Sequence, residues 1–353
     1  MRGRRSTEAL DMEFKVITAP FHEWDSLCAQ YSSDLLFHSE TWLKALHAGL
    51  QYHCMYCTLW DGRDLILGLP VFLMDYRILK ILYATIPYGT IIGDYKSLPY
   101  FLPALYNFLR SQRLHVLYLG GSYPGVPHLD LPGQTPKYQP VHLLSLEDTS
   151  AEDIQKKYKP YARRGVHRAE KFGVKVERIA NRQEIEDFYS LYLCAMQRNR
   201  AMAKYPKRFM YSIYDTVINQ GKGDIFFAKL DEINIAGIMV LYSTSFAHYY
   251  FGGSRTAYLK YQPNELLFHK ALVEAIRRKK CTFDFMGSDV NDVNLINFKQ
   301  KWGAVPHLTR HYTIVQSAFC YAFWNAGMRL LSSSWGTSLT RLVQSYASSK
   351  DSE

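Results

Sequence analysis

The sequence predicts an α/β fold built as α+β layers. Two tandem modules, each a mixed, mostly antiparallel sheet flanked by helices, precede a C-terminal helical tail. Three observations point there. A chain of 353 residues exceeds the ~100–150 residues of a typical domain, which favours two. Its 48% hydrophobic and 21% charged residues suit packed cores and exclude a disordered chain. The chain also repeats itself. Aligned without a gap, Ala104-Leu105 falls on Ala271-Leu272, Arg110 on Arg277 and Gly120 on Gly287, a shift of 167. Upstream, Leu59-Trp60-Asp61-Gly62-Arg63-Asp64 and Leu230-Asp231-Glu232-Ile233-Asn234 each join two strands, and Gly68 corresponds to Gly237 at a shift of 169.

The elements follow in order. Residues 1–11 are basic at Arg2, Arg4 and Arg5 but lead into no apolar segment, so they read as a disordered leader and not as a signal peptide. The first strand-like run starts just after Met12. Helices near 21–31 and 39–49, strands near 53–61, 64–76 and 78–87, a Pro-punctuated helix after Tyr100 and a strand over 115–120 complete a first module, 12–148. Glu147-Asp148-Thr149-Ser150 is polar and capping in character and marks the boundary.

In the second module, 149–317, the period predicts helices over 181–197 and 206–220. Strands over 224–230, 235–243 and 246–254 follow, antiparallel across short turns. A helix over 263–280 opens on Pro263 and closes on Arg277-Arg278-Lys279-Lys280, which suit its dipole. A strand over 282–287, a short helix over 295–302 and a strand over 308–315 end the module. In the tail, 318–353, Phe323, Trp324, Met328, Leu331, Trp335, Leu339, Leu342 and Val343 recur mostly at steps of three or four. Such a stripe packs on a core or lies at a lipid interface.

Composition narrows the function. Lys+Arg 42 against Asp+Glu 32 gives a net +10, which favours an anionic partner. The uncharged runs 233–254 and 311–328 carry Asn234, His248, Gln316 and Asn325, so neither reads as a membrane span. Six scattered cysteines form no disulfide framework, and the Cys54-x-x-Cys57 pair lacks a second pair or a nearby His. The twelve His residues show no metal spacing, so no metal is expected. Neither a Gly-x-Ser-x-Gly elbow nor a Gly-rich Lys-Ser/Thr phosphate loop is present. The expected setting is cytoplasmic, with peripheral contact at the inner membrane face as the one membrane role.

The charge is concentrated. Residues 156–178 hold nine Lys or Arg against Glu170 and Glu177, and 198–208 add five with no acid. Arg164, Arg168, Lys171 and Lys175 share one face if the helix reaches that far, while Gly173 favours an earlier stop. The face is either solvated or a cradle for phosphates, from a nucleotide-linked substrate or an RNA backbone.

Two helices, three strands, a helix and a strand describe the GNAT acyltransferase module. Within that plan, 162–176 (Ala-Arg-Arg-Gly-Val-His-Arg-Ala-Glu-Lys-Phe-Gly-Val-Lys-Val) resembles the arginine-rich segment opening the second domain of the Fem peptidoglycan-bridge aminoacyltransferases. Residues 248–303 resemble their second half more closely. A Tyr-rich strand ends Gly252-Gly253-Ser254, then come Pro263-Asn264-Glu265-Leu266-Leu267, Phe283-Asp284-Phe285-Met286-Gly287 and Phe298-Lys299-Gln300-Lys301-Trp302-Gly303. The last block is similar to the family's Phe-Lys-x-x-Phe-Gly signature, with Trp302 in place of Phe. The resemblance covers roughly 13–316. Before residue 150 only Phe37-His38-Ser39-Glu40-Thr41-Trp42 echoes it.

The resemblance implies that an amine attacks an acyl carbonyl lying where two strands splay. Lys299 then stabilises the charge developing on the carbonyl oxygen, and Phe298 lines the donor channel. In resembling enzymes a Lys and an Arg clamp the acceptor's phosphate. Arg208 is the best local match for that Arg, Lys44 a weaker one for the Lys, and Asn264, with Arg164 and Arg168, counts among the binding residues. Asp284, between Phe283 and Phe285, serves as general base or holds the fold together. Tyr249 and Tyr250 alternate faces, so one points into the wedge, and Tyr249 is the candidate.

The expected function is amide formation on a cell-envelope precursor, by aminoacyl transfer to a peptidoglycan precursor or related amine. The alternatives are an acyl-CoA-dependent N-acyltransferase of exopolysaccharide or lipid synthesis, and a non-catalytic RNA- or phospholipid-binding protein. No tightly bound cofactor is expected; the donor is aminoacyl-tRNA or acyl-CoA. The glycine-free stretch 255–262 argues against the usual CoA grip, and the lack of a long heptad arm argues against tRNA. The expected acceptor is a phosphorylated or lipid-linked small molecule, with tRNA a candidate partner and DNA none.

Overall fold

The computed structural model describes residues 11–18, 22–121, 126 and 128–332. Of these, 11–43, 52–137 and 310–321 form one compact unit, and 44–51, 138–309 and 322–332 form another.

The first unit contains β1 (Met12–Ile17), α1 (His22–Tyr31), the start of α2 (Glu40–Leu50), β2 (His53–Asp61), β3 (Asp64–Asp75), β4 (Lys80–Ala84), β5 (Ile92–Gly93), α3 (Leu98–Ser111) and β6 (Val116–Leu119). β1, β2, β3 and β4 pair antiparallel in that order, whereas β4 and β6 run parallel with Ile81 opposite Val116. The apolar stripe of α3 buries Phe101, Leu105 and Leu109, with Phe101 5.7 Å from Phe14 between ring centroids.

The second unit contains β7 (Lys137–Ser145), α4 (Pro160–Lys171), β8 (Lys175–Arg178), α5 (Ile185–Arg198), α6 (Lys207–Thr216), β9 (Gly223–Leu230), β10 (Ile233–Tyr242), β11 (Phe246–Ser254), α7 (Pro263–Arg277), β12 (Thr282–Gly287) and α8 (Val293–Gln300). Its strands lie in the order β7-β12-β11-β10-β9-β8. β13 (Val305–Val315) gives its last residues to the first unit, where Tyr312 pairs with Leu119, and α9 (Ala318–Ser332) follows.

The duplicated plan is visible in the pairing. Each unit has a hairpin closed at corresponding residues, Asp61 opposite Asp64 and Leu230 opposite Ile233. In each, the strand before the long helix runs parallel to the strand after it, Ile81 beside Val116 and Ala247 beside Phe283.

Local signals place most elements within a few residues, and the departures have physical causes. Helix α7 ends at Arg277, short of the expected 280, because Lys279 takes φ +57° and the Lys280 amide turns back to donate to Ala275. The Arg278 guanidinium donates to Glu274 and Asp224, and Lys280 Nζ donates to the carbonyls of Ser243 and Thr244 at 2.6 and 3.0 Å. Helix α4 stops at Lys171. Gly173 takes φ +80°, the Val174 amide donates back to Ala169, and Lys175 opens β8 away from the helical face of Arg164 and Arg168. Strands β7 and β8 are only weakly legible locally. β7 is interrupted by Pro140 and is held by non-local pairing with β12, Leu144 opposite Phe283. That pairing puts 138–148 in the second unit rather than the first.

Residues 1–10 of the expected leader lie outside the described residues, as do Trp335, Leu339, Leu342 and Val343 of the tail. Among the described residues no helix is long and apolar enough to cross a membrane. On α9, Phe319 and Phe323, one turn apart, are 80% and 58% exposed.

Candidate active site

β11 and β12 run side by side for only three residue pairs, Phe246 with Thr282, Ala247 with Phe283 and His248 with Asp284. Beyond these no pairing continues and the strands diverge. A bulge in each strand accompanies the opening. In β11, Tyr249 faces Val240 and Phe251 faces Met239, leaving Tyr250 as the extra residue. In β12, Asp284 faces Leu143 of β7 and Gly287 faces Val141, so Phe285 and Met286 together oppose His142. Met286 takes φ +64°, a conformation unusual for a side-chain-bearing residue.

Polar groups gather at the point of divergence. His248 Nδ1 and Asp284 Oδ2 are 2.9 Å apart, both residues fully buried, and Asp284 Oδ1 accepts the Met286 amide at 2.7 Å. Lys299, on α8, is 2% exposed. Its ammonium donates to the carbonyls of Met286 and Gly287 at 2.8 and 2.7 Å, which leaves one of its three N–H groups for a ligand. Burial lowers its pKa to about 8, against the opposing pull of Asp284 and Asp292. The cation is therefore mostly retained at neutral pH, in a water-poor setting where its field on a carbonyl oxygen is strong. Burial, and then Lys299, also hold the imidazole of His142 below the ordinary histidine range, while Asp284 opposes them.

Lys299 and Asp284, expected from the sequence, thus sit together. The bulge alters the expected alternation of the two tyrosines. Tyr249 turns onto Phe268 of α7, with ring centroids 4.7 Å apart, while the extra residue Tyr250 packs on Phe209 and Phe251. Burial pushes the Tyr249 phenol up to about 12, so it stays protonated as a hydrogen-bond donor. Its hydroxyl lies 2.5 Å from where a Cβ on Gly252 would stand, which explains glycine there. Phe298 packs edge-on against the same Phe268 at 5.1 Å, and Lys301 lies over its ring at 4.2 Å.

The expected binding residues are spread more widely. Asn264, near the start of α7, reaches Ser254 Oγ at 3.5 Å, a long and weak contact. The glycine-free stretch before it forms a 3₁₀ helix over Thr256–Tyr261. Helix α4 packs close beside α7: a Cβ on Gly165 would meet Glu265 at 2.6 Å and Gln262 at 3.4 Å. Arg164 and Arg168 are exposed on α4, and neither makes an ion pair among the described residues. Arg208 spends its Nε–H on the carbonyl of Gly49 at 2.9 Å, and Lys44 lies on the exposed side of α2. The intervening face of α2 is anchored through Ser212 Oγ, which donates to Ala45 O at 2.8 Å.

His248 and His142 carry no signal in the sequence. A buried His one residue before a Tyr pair has no pattern of its own, and its partner Asp284 is supplied only by parallel pairing across 36 residues. The run Val141-His142-Leu143-Leu144 is the one local hint of β7. Among the described residues no group of three His, Cys, Asp or Glu is arranged to hold a metal ion.

Parallel strands that part after three pairs and are flanked by a helix, on this order of elements, describe a GNAT-type fold. Residues 156–299 match the acetyltransferase (GNAT) domain family. Across the chain the fold is similar to that of FemX, with 14% identity, 88% of this chain and 99% of that chain covered, and a TM-score of 0.64. It is also similar to a tandem GNAT protein from the clavulanic acid biosynthesis pathway (12% identity, 87% and 99% covered, TM-score 0.59). A third likeness is to the C-terminal domain of a putative lysylphosphatidylglycerol synthetase from Agrobacterium fabrum (12%, 88% and 95%, 0.56). A comparison with curated protein sequences finds no match. The chain has the Fem-like tandem GNAT fold.

Proposed function

We propose that this chain is an N-acyltransferase that moves an acyl group from an acyl-CoA thioester to an amine on a phosphate-bearing cell-envelope precursor, sugar- or lipid-linked. The observation that carries the reading is the buried Lys299 ammonium, fixed by the Met286 and Gly287 carbonyls beside the diverging strands. A preorganised cation with one unspent N–H is suited to the oxygen that gains charge when an amine attacks a carbonyl. The matched acetyltransferase family favours a thioester donor. The names of two structural neighbours, FemX and a lysylphosphatidylglycerol synthetase, favour an envelope or lipid acceptor.

One observation supports a second reading, in which the donor is an aminoacyl-tRNA. The stretch after β11 is a 3₁₀ helix, its Tyr258 and Gln262 amides spent on Arg255 and Leu259, in place of a glycine loop with outward amides. Mass spectrometry of ligands that co-purify separates the two: a CoA species supports the thioester donor, RNA the ester.

On the thioester reading the exposed Arg164 and Arg168 are the candidate phosphate contacts, on the helix whose Gly165 packs against Glu265 of α7. Arg164→Glu combined with Arg168→Glu is expected to weaken acetyl-CoA binding roughly tenfold and to flatten its salt dependence, measured by calorimetry at two ionic strengths. Unchanged affinity with an unchanged salt slope would mark the face as merely solvated.

The exposed Phe319 and Phe323 favour a lipid-linked acceptor, since they present aromatic rings where an interfacial helix needs them. Full-length protein is expected to float partially with anionic liposomes, and the chain truncated after Gln316 is expected not to. Equal flotation of both would remove α9 from membrane contact.

A further inference from the structure

We propose that His142 is the base of the acyl transfer, taking at Nδ1 the proton that the attacking amine must lose. The inference rests on the acyltransferase reading above and adds to it a residue from a strand that the motifs do not include.

Several buried side chains carry an unpartnered polar atom among the described residues, His38 Nδ1 and Trp302 Nε1 included, and His142 is singled out by its place. It lies opposite the two-residue bulge of β12, whose Met286 carbonyl holds Lys299. Its side chain is 1% exposed, and its Nδ1 has no hydrogen-bond partner among the described residues. Lys299 and Asp284 are its electrostatic neighbours. A buried ring nitrogen without a partner costs about 1–3 kcal/mol, so its persistence calls for an explanation. A second orphan accompanies it. Ser288 is 2% exposed, its Oγ is likewise without a partner, and its amide donates to Pro140 two residues from His142 along β7. Two unsatisfied polar side chains, one on β7 and one just past the end of β12, together with the fixed cation beside His142 make a site that a polar ligand completes.

The other candidates for the base are less suited. His248 spends Nδ1 on Asp284, and Asp284 spends its two oxygens on His248 and the Met286 amide. Tyr249 holds its proton up to about 12. His142 is faced by Lys299 from α8 and by Asp284, with its partner His248, from the sheet; burial and the Lys299 cation outweigh the carboxylate and keep the ring neutral at pH 7. A neutral imidazole accepts a proton, and a cation beside it then speeds the proton's departure.

The step balances. The amine lone pair forms the C–N bond while the carbonyl π pair moves to oxygen beside Lys299. The amine proton passes to His142 Nδ1. The carbonyl re-forms, the C–S pair leaves on sulfur, and the thiolate takes the proton from His142. An amide and free CoA thiol result, with no oxidant or reductant needed.

Thiol release from acetyl-CoA with glucosamine as the amine probe tests this. His142→Asn is expected to lower kcat by ~10²–10³ with KM for acetyl-CoA changed less than twofold, and to remove the acid limb of the kcat profile below pH 6.5. Lys299→Met, which keeps His142, is expected to move that limb upward toward the ordinary histidine value, because a neighbouring cation is gone. This second arm remains informative if His142→Asn folds poorly. A kcat within threefold of wild type, or an acid limb that Lys299→Met leaves in place, would overturn the role of His142. Loss in Lys299→Met without loss in His142→Asn would remove His142 alone and keep the acyltransferase reading. No loss in either would defeat the reading of the wedge itself.

Discussion

Lys299→Met is expected to lower the turnover of acyl transfer by ~10²–10³ while leaving acetyl-CoA binding nearly intact, because the ammonium acts on charge that exists only in the transition state. The substitution is not silent for folding. It strands the carbonyls of Met286 and Gly287, which accept from Nζ at 2.8 and 2.7 Å, at a cost of roughly 1–3 kcal/mol.

The pH dependence makes the test specific. In the unfolded chain Lys299 titrates at its ordinary 10.5, and in the folded chain at about 8. Between those values the unfolded chain holds a proton that the folded chain has released, so stability climbs as pH rises through that window. Each pH unit between the two values contributes roughly 1.4 kcal/mol, so the climb amounts to about 3 kcal/mol. The wild-type protein is expected to show this rise in chemical denaturation between pH 8 and 10.5, and Lys299→Met to lack it. Turnover follows the opposite course and falls above pH 8 as the cation is lost. A denaturation profile that the substitution leaves unchanged would show that Lys299 is not buried as described.

Asp284→Ala is expected to have the largest effect on stability. The carboxylate is fully buried, with one oxygen 2.9 Å from His248 Nδ1 and the other accepting the Met286 amide at 2.7 Å. Removing one member of a buried, hydrogen-bonded pair costs about 3–5 kcal/mol, which in a unit of this size lowers the melting temperature by on the order of 10 °C. Asp284→Asn keeps an acceptor for the Met286 amide and is expected to lose less. A second readout separates this role from bulk destabilisation. Asp284 raises the Lys299 pKa against burial, so its loss moves the alkaline limb of turnover below pH 8. Melting within 2 °C of wild type, with the limb unmoved, would show that the carboxylate does neither.

Much of this is legible locally. The repeat that carries Gly120 onto Gly287 and Gly68 onto Gly237 comes from residue types alone, and it matches the hairpin and parallel-pair geometry of both units. Pro263 and Gly173 mark a helix start and a helix stop, because a fixed φ and a left-handed φ are properties of single residues. The motifs Phe283-Asp284-Phe285-Met286-Gly287 and Phe298-Lys299 name two members of the cluster without knowledge of any contact.

What lies beyond the sequence is decided by pairing at a distance. Nothing in the period of 282–287 says that two of its residues share one partner on β7, since a bulge is a mismatch between two strands and belongs to neither alone. That mismatch sets His142 against Met286. The parallel register joins His248 to Asp284, and the twist of residues 286 and 287 turns two carbonyls toward Lys299. Alone, α8 is a short helix whose lysine would face water. Only the strand ends it packs against supply the acceptors that make burying a cation tolerable. Residue types thus determined the repeat, most of its elements and two of the reactive groups, Lys299 and Asp284. The tertiary structure decided which of those groups meet, because burial and register depend on partners far away in the chain.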